Sequence, residues 1–253
     1  MNRILITGAS SGLGAAIARH YATPGRSLSL WGRDRGRLEA TAEICRESGA
    51  DVEILSLDLT DVDAAIAAAR EADDRAPVTL VFLVAGLGDI RAPGTFVESA
   101  EQVQRLGLVD FVAPCALASA LADRMAERSQ GSIVLVGSAA AFHALPFAAA
   151  YAGAKAGLAR FADALRISVA ERGVRVTLVS PGFVDTAGGG KVPGPKPFLM
   201  QPDYVAARIA RAVEKGLPHL VLPWPFAWLR WLDRLLPRPV RDRLLRTLTP
   251  PVG

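Results

Sequence analysis

Tyr151 and Lys155 stand four residues apart, and Ser138 lies thirteen residues before the tyrosine. Four residues is slightly more than one helical turn, so on a helix both side chains share a face. A phenol ionises near ~10, and a fixed ammonium beside it favours the phenolate. Such a tyrosine can give a proton to a carbonyl oxygen or take one from an alcohol. Ser138, hydrogen-bonded to the same oxygen, would hold it in place. The trio reads as proton-exchange machinery for a carbonyl or an alcohol. The other reactant it requires is a nucleotide that carries hydride.

The chain opens on a segment suited to that nucleotide. An apolar run at 4–6 leads into Thr7-Gly8-Ala9-Ser10-Ser11-Gly12-Leu13-Gly14, and from residue 15 to 20 the pattern is helical. Strand, glycine turn and helix in succession let a pyrophosphate approach the backbone closely and face the free N–H groups of a helix start. The spacing is G-x-x-x-G-x-G rather than the commoner G-x-G-x-x-G. An ordinary glycine-rich turn is the competing reading.

With these motifs in register, the chain resembles the short-chain dehydrogenase/reductase family. The resemblance runs from about residue 3 to 222. It implies a hydride transfer between NADP(H) and a carbonyl or secondary alcohol. Ser138, Tyr151 and Lys155 match the catalytic residues, with Tyr151 and Lys155 also holding the nicotinamide ribose. Gly8, Ser10, Ser11, Gly12, Leu13 and Gly14 match the cofactor motif. Pro181-Gly182-Phe183-Val184-Asp185-Thr186 is similar to the segment at the nicotinamide end, which assigns cofactor contacts to Pro181, Gly182, Val184 and Thr186. Asp58 and Leu59 match an adenine-contacting pair. Ala85 and Gly86 match a close backbone approach to the adenine ribose. Oligomers, a homodimer or homotetramer, are usual for the family.

The residues after the second expected strand bear on which nicotinamide is used. Gly32 stands where NAD-preferring relatives place an acid, and Arg33 follows it. A guanidinium suits a 2′-phosphate through bidentate hydrogen bonding. NADP is therefore the expected cofactor, and NAD the weaker one. Alternatively Arg33, Arg35 and Arg37 form a solvated face at a helix start, with Asp34 as its N-cap.

Two positions depart from the family pattern. Leu83-Val84-Ala85-Gly86 stands where two asparagines usually precede the alanine and glycine, so a polar brace between central strands is lost. Asp110 stands where the fourth active-site residue is usually asparagine. An aspartate there is expected to pair through water with Lys155 and serve a proton relay, or else to mark a weakened site.

Composition bounds the remainder. A chain of 253 residues fits one dinucleotide-binding and catalytic domain, 1–253, with a sizeable core. Apolar runs at 4–6, 28–31, 52–57, 80–84, 133–136, 174–179 and 220–222 alternate with helical stretches. That alternation predicts an α/β fold, a doubly wound parallel sheet of about seven strands with helices on both faces. No apolar run approaches the roughly 20 residues of a membrane span. Cys45 and Cys115 are the two cysteines, which points to reduced thiols and a cytoplasmic setting rather than a disulfide framework. The first expected strand starts almost at the N-terminus, which leaves no place for a signal peptide. His20, His143 and His219 form no cluster with metal-ligand spacing, so no metal is expected.

Two segments stand apart. Residues 187–202 carry Gly188-Gly189-Gly190, Pro193, Gly194, Pro195 and Pro197, and are expected to form a substrate lid tipped by Phe198, Leu199 and Met200. Lys191 and Lys196 beside it would suit an anionic carrier, so a 3-oxoacyl thioester is an alternative to a hydrophobic ketone or aldehyde. Residues 224–253 hold six arginines against Asp233 and Asp242, a surplus of +4 that equals the net charge of the whole chain. The body is therefore neutral and has no basic stripe for nucleic acid. Trp228, Trp231, Leu232 and Leu235 at helical spacing predict an amphipathic helix. Its apolar face would pack over the substrate pocket, against a second subunit, or on a membrane surface. A nucleotide-binding regulatory protein without turnover is the rival from another class; the intact trio argues against it.

Overall fold

A computed structural model of the chain describes residues 3–186 and 195–247. Seven strands form one parallel sheet in the order β3-β2-β1-β4-β5-β6-β7. They are β1 Arg3–Thr7, β2 Ser27–Gly32, β3 Asp51–Ser56, β4 Val78–Leu83, β5 Gly131–Val136, β6 Val174–Pro181 and β7 His219–Leu222. The central strands are largely apolar on both sides because each side is covered, whereas the edge strand β3 carries Asp51 and Glu53. Ile4 and Ile6 face one core cluster with Ile17, Leu38, Val205 and Ile209. Leu5 faces the other, with Ala69, Leu117, Leu121 and Leu158. Both faces of a parallel sheet are buried by crossover helices, which erases the polar alternation of a half-exposed strand.

The helices on the first face are α1 Gly12–Tyr21, α2 Arg35–Glu47 and α7 Pro202–Glu214; those on the second are α3 Val62–Arg75, α5 Ala113–Glu127 and α6 Ala149–Val169. Their starts are written locally. Asp34 accepts from the N–H of Arg37, Asp61 from that of Ala64, and Ser99 from that of Gln102. The last of these opens α4 Ala100–Gly107, which runs through a π-turn at Leu108–Val112 directly into α5. The continuous run Ala100–Glu127 is 28 residues long and reaches a mean hydropathy of 1.6. This corrects the expectation that no stretch is long and apolar enough to span a membrane. Half of its most apolar window is buried inside the protein, as befits a core helix.

Most strand ends shift by one or two residues from expectation, and two of the shifts have a clear local cause. β4 ends at Leu83 rather than at 84, because the N–H groups of Val84 and Ala85 both donate to Thr7 Oγ1, at 3.0 and 3.2 Å. Thr7 thus ties β1 to β4 where the asparagine brace is missing. β6 runs to Pro181 rather than 179, since Pro181 still lies opposite Leu222 of β7. Two helices close the described chain, α8 Pro225–Leu235 and α9 Arg238–Thr247. Of the expected lid 187–202, residues 187–194, with Gly188, Gly189, Gly190, Lys191, Pro193 and Gly194, lie outside the described residues.

Candidate active site

The sheet's C-terminal edge carries a cavity of about 420 Å³. It brings together Gly8, Ser10, Ser11, Gly12, Leu13 and Gly14 with Arg33, Asp58, Leu59, Ala85, Gly86 and Thr186. Two glycines are required by geometry. Gly8 has φ +72°, and a Cβ there would lie 2.9 Å from the backbone of Ala85. Gly12 has φ +55°, and a Cβ would lie 2.9 Å from Thr186 Cγ2, so the first and sixth loops touch across the cavity. Ser11 heads α1 without a side-chain capping bond, and no acid occupies the first turn. The N–H groups of that turn remain for an anion. A cradle that only backbone fits, at an uncapped helix start, suits a dinucleotide pyrophosphate.

The adenosine end is also ordered. Asp58 accepts from the N–H of Thr60 at 2.9 Å and from its hydroxyl at 3.0 Å. The Thr60 N–H holds its carboxyl below the usual carboxylate range. Gly32 stands against Ser10, whose Oγ would be 3.2 Å from an added Cβ. Arg33 is exposed beside it, near Asp58. Arg37, read from the sequence only as part of a solvated face, also lines the cavity, but its Nε is held by Asp34 at 2.8 Å.

Beyond Gly86 lies the proton-handling group. Lys155 Nζ and Asp110 Oδ1 are 3.1 Å apart, with side chains 4% and 0% exposed. The expected water between them is not needed: the pair is direct. The π-turn accounts for it, since its wider winding carries Asp110 inward, where its two carboxylate oxygens also accept from the N–H of Leu87 at 3.0 and 3.3 Å. Lys155 donates further to the Val136 carbonyl at the end of β5, at 3.2 Å. Burial opposes the lysine charge, but Asp110 and then Tyr151 outweigh it and hold Lys155 above the ordinary lysine range. Burial likewise pushes Asp110 upward, against the pull of Lys155. The counter-charge keeps the ammonium, whose Nζ sits 5.9 Å from the centre of the Tyr151 ring one turn earlier on α6.

Ser138 follows β5 and heads a short 3-10 turn, Ala139–Phe142. Its Oγ accepts from the N–H of Ala140 at 3.1 Å, which leaves its hydrogen to donate elsewhere. The start of α6 has no cap of its own, since Ala148 supplies none. Glu98, from the loop before α4, takes that role: its carboxylate accepts from the N–H groups of Ala149 and Ala150, each at 3.1 Å. Sequence reasoning missed Glu98, because a cap 51 residues away leaves no local signal.

The nicotinamide-end motif divides. Thr186 reaches the cavity, whereas Gly182 and Val184 do not line it. Gly182 carries the Phe226 ring of α8 directly against its Cα, leaving no space for a side chain. Val184 bridges to Met200, and Met200 exchanges hydrogen bonds with Phe183 and Asp185 at 2.9 and 2.8 Å. The Phe198 ring meets that of Phe226 edge-on at 6.2 Å, so the segment before α7 and the C-terminal region converge here. His219 bonds the Ser180 hydroxyl through Nε2 at 2.9 Å, a structural role.

Comparisons with known proteins agree with this geometry. A family profile described as short chain dehydrogenase matches residues 2–194. An oxidoreductase of Myxococcus xanthus is 34% identical over 248 residues, 96% of each chain. A short-chain dehydrogenase from Sphingobium yanoikuyae in complex with NADPH superposes with a TM-score of 0.81 at 30% identity, covering 97% of this chain and 96% of that one. The bulky-bulky ketone specific alcohol dehydrogenase from Comamonas testosteroni does so with 0.79 at 25% identity, covering 97% and 94%. A glycine cradle at the first strand, a buried lysine one turn after a tyrosine and a serine at the fifth strand, with these relatives, mean that the chain belongs to the short-chain dehydrogenase/reductase family of oxidoreductases.

Proposed function

We propose that the protein is an NADP(H)-dependent reductase of hydrophobic ketones or aldehydes, working in reverse on secondary alcohols. The observation that carries this is the buried Lys155 ammonium, fixed between Asp110, the Val136 carbonyl and Tyr151 at the end of the glycine-lined cavity. A charged group held this way has no use in packing, because burying it is costly unless it is paired. Its use is to place a fixed positive charge beside the tyrosine that exchanges the proton.

The chemistry that NADP(H) supplies when bound is hydride transfer. The first turn of α1 and the backbone at Gly8 and Gly12 hold the pyrophosphate, Asp58, Leu59, Ala85 and Gly86 the adenosine, and Arg33 the 2′-phosphate. Lys155 and Tyr151 hold the nicotinamide ribose, and Thr186 closes its far end, carried there by the segment of Pro181, Gly182 and Val184. Tyr151 Oη exchanges the proton with the substrate oxygen. Ser138 Oγ donates to the same oxygen and orients it. Lys155 sets its ammonium beside Tyr151, and Asp110 keeps Lys155 charged. Phe198, Leu199 and Phe226 form an apolar wall over the substrate side, with 195–202 as the described part of a lid. That the Comamonas testosteroni relative is specific for bulky ketones supports an apolar substrate. The whole chain, 1–253, acts as one catalytic unit in this reading.

The test is NADPH consumption against a panel of aldehydes, ketones and 3-oxoacyl thioesters, with NADH and Tyr151→Phe alongside. The expected result is turnover on apolar carbonyls that prefers NADPH and falls by roughly 10²- to 10⁴-fold in Tyr151→Phe. Best turnover on thioesters would move the substrate class. Tight NADPH binding with no turnover anywhere on the panel would return the regulatory reading.

A further inference from the structure

The C-terminal helices present an apolar surface that the reaction does not use. Trp224, just before α8, and Trp228, Trp231 and Leu235 on it repeat at intervals of four, three and four. At 3.6 residues per turn they fall within an arc of about 60°. The structure turns this arc outward: the four side chains are 72%, 69%, 49% and 77% exposed. Phe226, on the opposite side of the helix, is the one that packs on Gly182 and Phe198. Of the three places expected for the apolar face, packing onto the body of this chain does not apply to Trp228, Trp231 and Leu235, which stay exposed. α9 repeats the arrangement. Leu245 is buried, while Val240 and Leu244, one turn apart, are 54% and 45% exposed.

Charge frames this surface. Arg230 lies 5.5 Å from the centre of the Trp231 ring. Arg238, Arg243 and Arg246 are exposed on α9, with Arg243 adjoining Leu244. The six arginines and two aspartates of the segment give +4, the entire surplus of the chain.

We infer that residues 224–247 are a docking face for an anionic phospholipid surface. Tryptophan prefers the headgroup boundary, where its ring is apolar and its N–H is solvated. Arginine beside it meets the phosphates, and the two contributions together give stable surface attachment where either alone is marginal. A second copy of the chain is a worse occupant. Isologous pairing through this face would set two +4 segments against each other, whereas an anionic surface is attracted by both features. The docked surface and the Gly182 motif would then lie about one helix diameter apart, ~10 Å. The inference does not depend on the reaction proposed above.

The experiment uses the full chain with NADPH binding as a check on folding. Co-sedimentation and tryptophan emission are measured with vesicles of phosphatidylcholine and with vesicles of phosphatidylcholine mixed with phosphatidylglycerol. The expected result is binding to the mixed vesicles, with a blue-shifted emission, and little binding to the neutral ones. Arg243→Gln with Arg246→Gln lowers the partition coefficient by roughly 30-fold, at about fivefold per arginine. Trp228→Ser with Trp231→Ser abolishes the blue shift. Failure of the NADPH-binding protein to sediment with mixed vesicles would overturn the inference. So would equal binding to neutral vesicles, or a solution dimer that the tryptophan variant dissociates while no vesicles bind.

Discussion

Asp110 and Lys155 make a direct ion pair of 3.1 Å beneath the loop that carries Gly86, so close that a Cβ on Gly86 would lie 2.6 Å from Asp110 Oδ1 and 3.2 Å from Lys155 Nζ. The pair therefore joins the cofactor cavity to the proton-handling helix. Burial alone would lower the lysine pKa, and Asp110 reverses that. Asp110→Asn removes the counter-charge but keeps an acceptor for Leu87. Lys155 then loses its proton at lower pH, and the alkaline limb of kcat moves toward neutrality. Asp110→Ala leaves a buried cation unpaired and costs about 3–5 kcal/mol in urea unfolding. An unmoved limb in the first variant, together with full stability in the second, would show that the pair matters to neither.

Glu98 and the start of α6 give a second prediction. Two N–H groups of the turn just before Tyr151 have their acceptor in a carboxylate from another loop. An anion at a helix N-terminus satisfies orphan donors and meets the positive end of the helix dipole. Glu98→Ala is expected to cost about 1 kcal/mol of stability, the ordinary worth of a lost cap. Because the untied turn carries Tyr151, kcat falls while NADPH affinity holds. Glu98→Gln keeps one acceptor and recovers part of both losses. Equal kcat in the wild type and the alanine variant would confine Glu98 to stability.

Asp73 supplies the pH dependence of folding. Its side chain is 1% exposed and pairs with Arg128 at 2.7 Å, with Arg124 beside it. Burial pushes the carboxyl up, but Arg128, the Val78 N–H and Arg124 outweigh it, and it ends below its ordinary value. A depressed carboxyl contributes stability that is complete above its unfolded pKa near ~4 and is lost as pH falls through the folded value. Urea unfolding is expected to show this loss below about pH 4 in the wild type. Asp73→Asn lowers stability by about 2 kcal/mol at neutral pH and removes that part of the acid slope. A variant with the wild-type slope would place the titration on other carboxylates.

Legibility in the sequence followed the range of the forces involved. The seven strands were readable because burial on both faces makes most of each an apolar run; their ends moved by one or two residues, at β4 because Thr7 takes the donors of Val84 and Ala85 and at β6 because pairing with β7 continues. Asp34 as a helix cap was readable because its partner, Arg37, is three residues away. The glycine cradle, Ser138, Tyr151 and Lys155 were readable because fixed spacing encodes them. Asp110 was identified, but its direct bond to Lys155 was not. That bond depends on a π-turn, and one extra residue in a helical turn has no compositional mark. Glu98 and Phe226 escaped for a related reason: their partners, Ala149 and Gly182, lie 51 and 44 residues away along the chain. The tryptophans were seen as one apolar face, but periodicity cannot say whether such a face points inward or outward.

The proposed preference for NADP(H) turns on Gly32 and Arg33, and its prediction can be read without turnover. Gly32 has no carboxylate to accept from a ribose diol, and its Cα lies against Ser10 and Leu38. Arg33 makes no ion pair among the described residues, whereas Arg37 is engaged by Asp34. Arg33 is thus the guanidinium proposed to meet a 2′-phosphate. Arg33→Ala is expected to weaken NADPH by about tenfold or more, the worth of a charge-assisted hydrogen bond, and to leave NADH within about twofold. Gly32→Asp introduces the acid at a site where the new Cβ comes within 3.2 Å of Ser10 Oγ, so Ser10 must give by a few tenths of an ångström. It should weaken NADPH by charge repulsion and strengthen NADH through the diol. Fluorescence titration of the reduced cofactors measures all four constants. Equal weakening of both cofactors by Arg33→Ala would mean that the arginine serves as general attraction for anions and that discrimination lies elsewhere in the cavity.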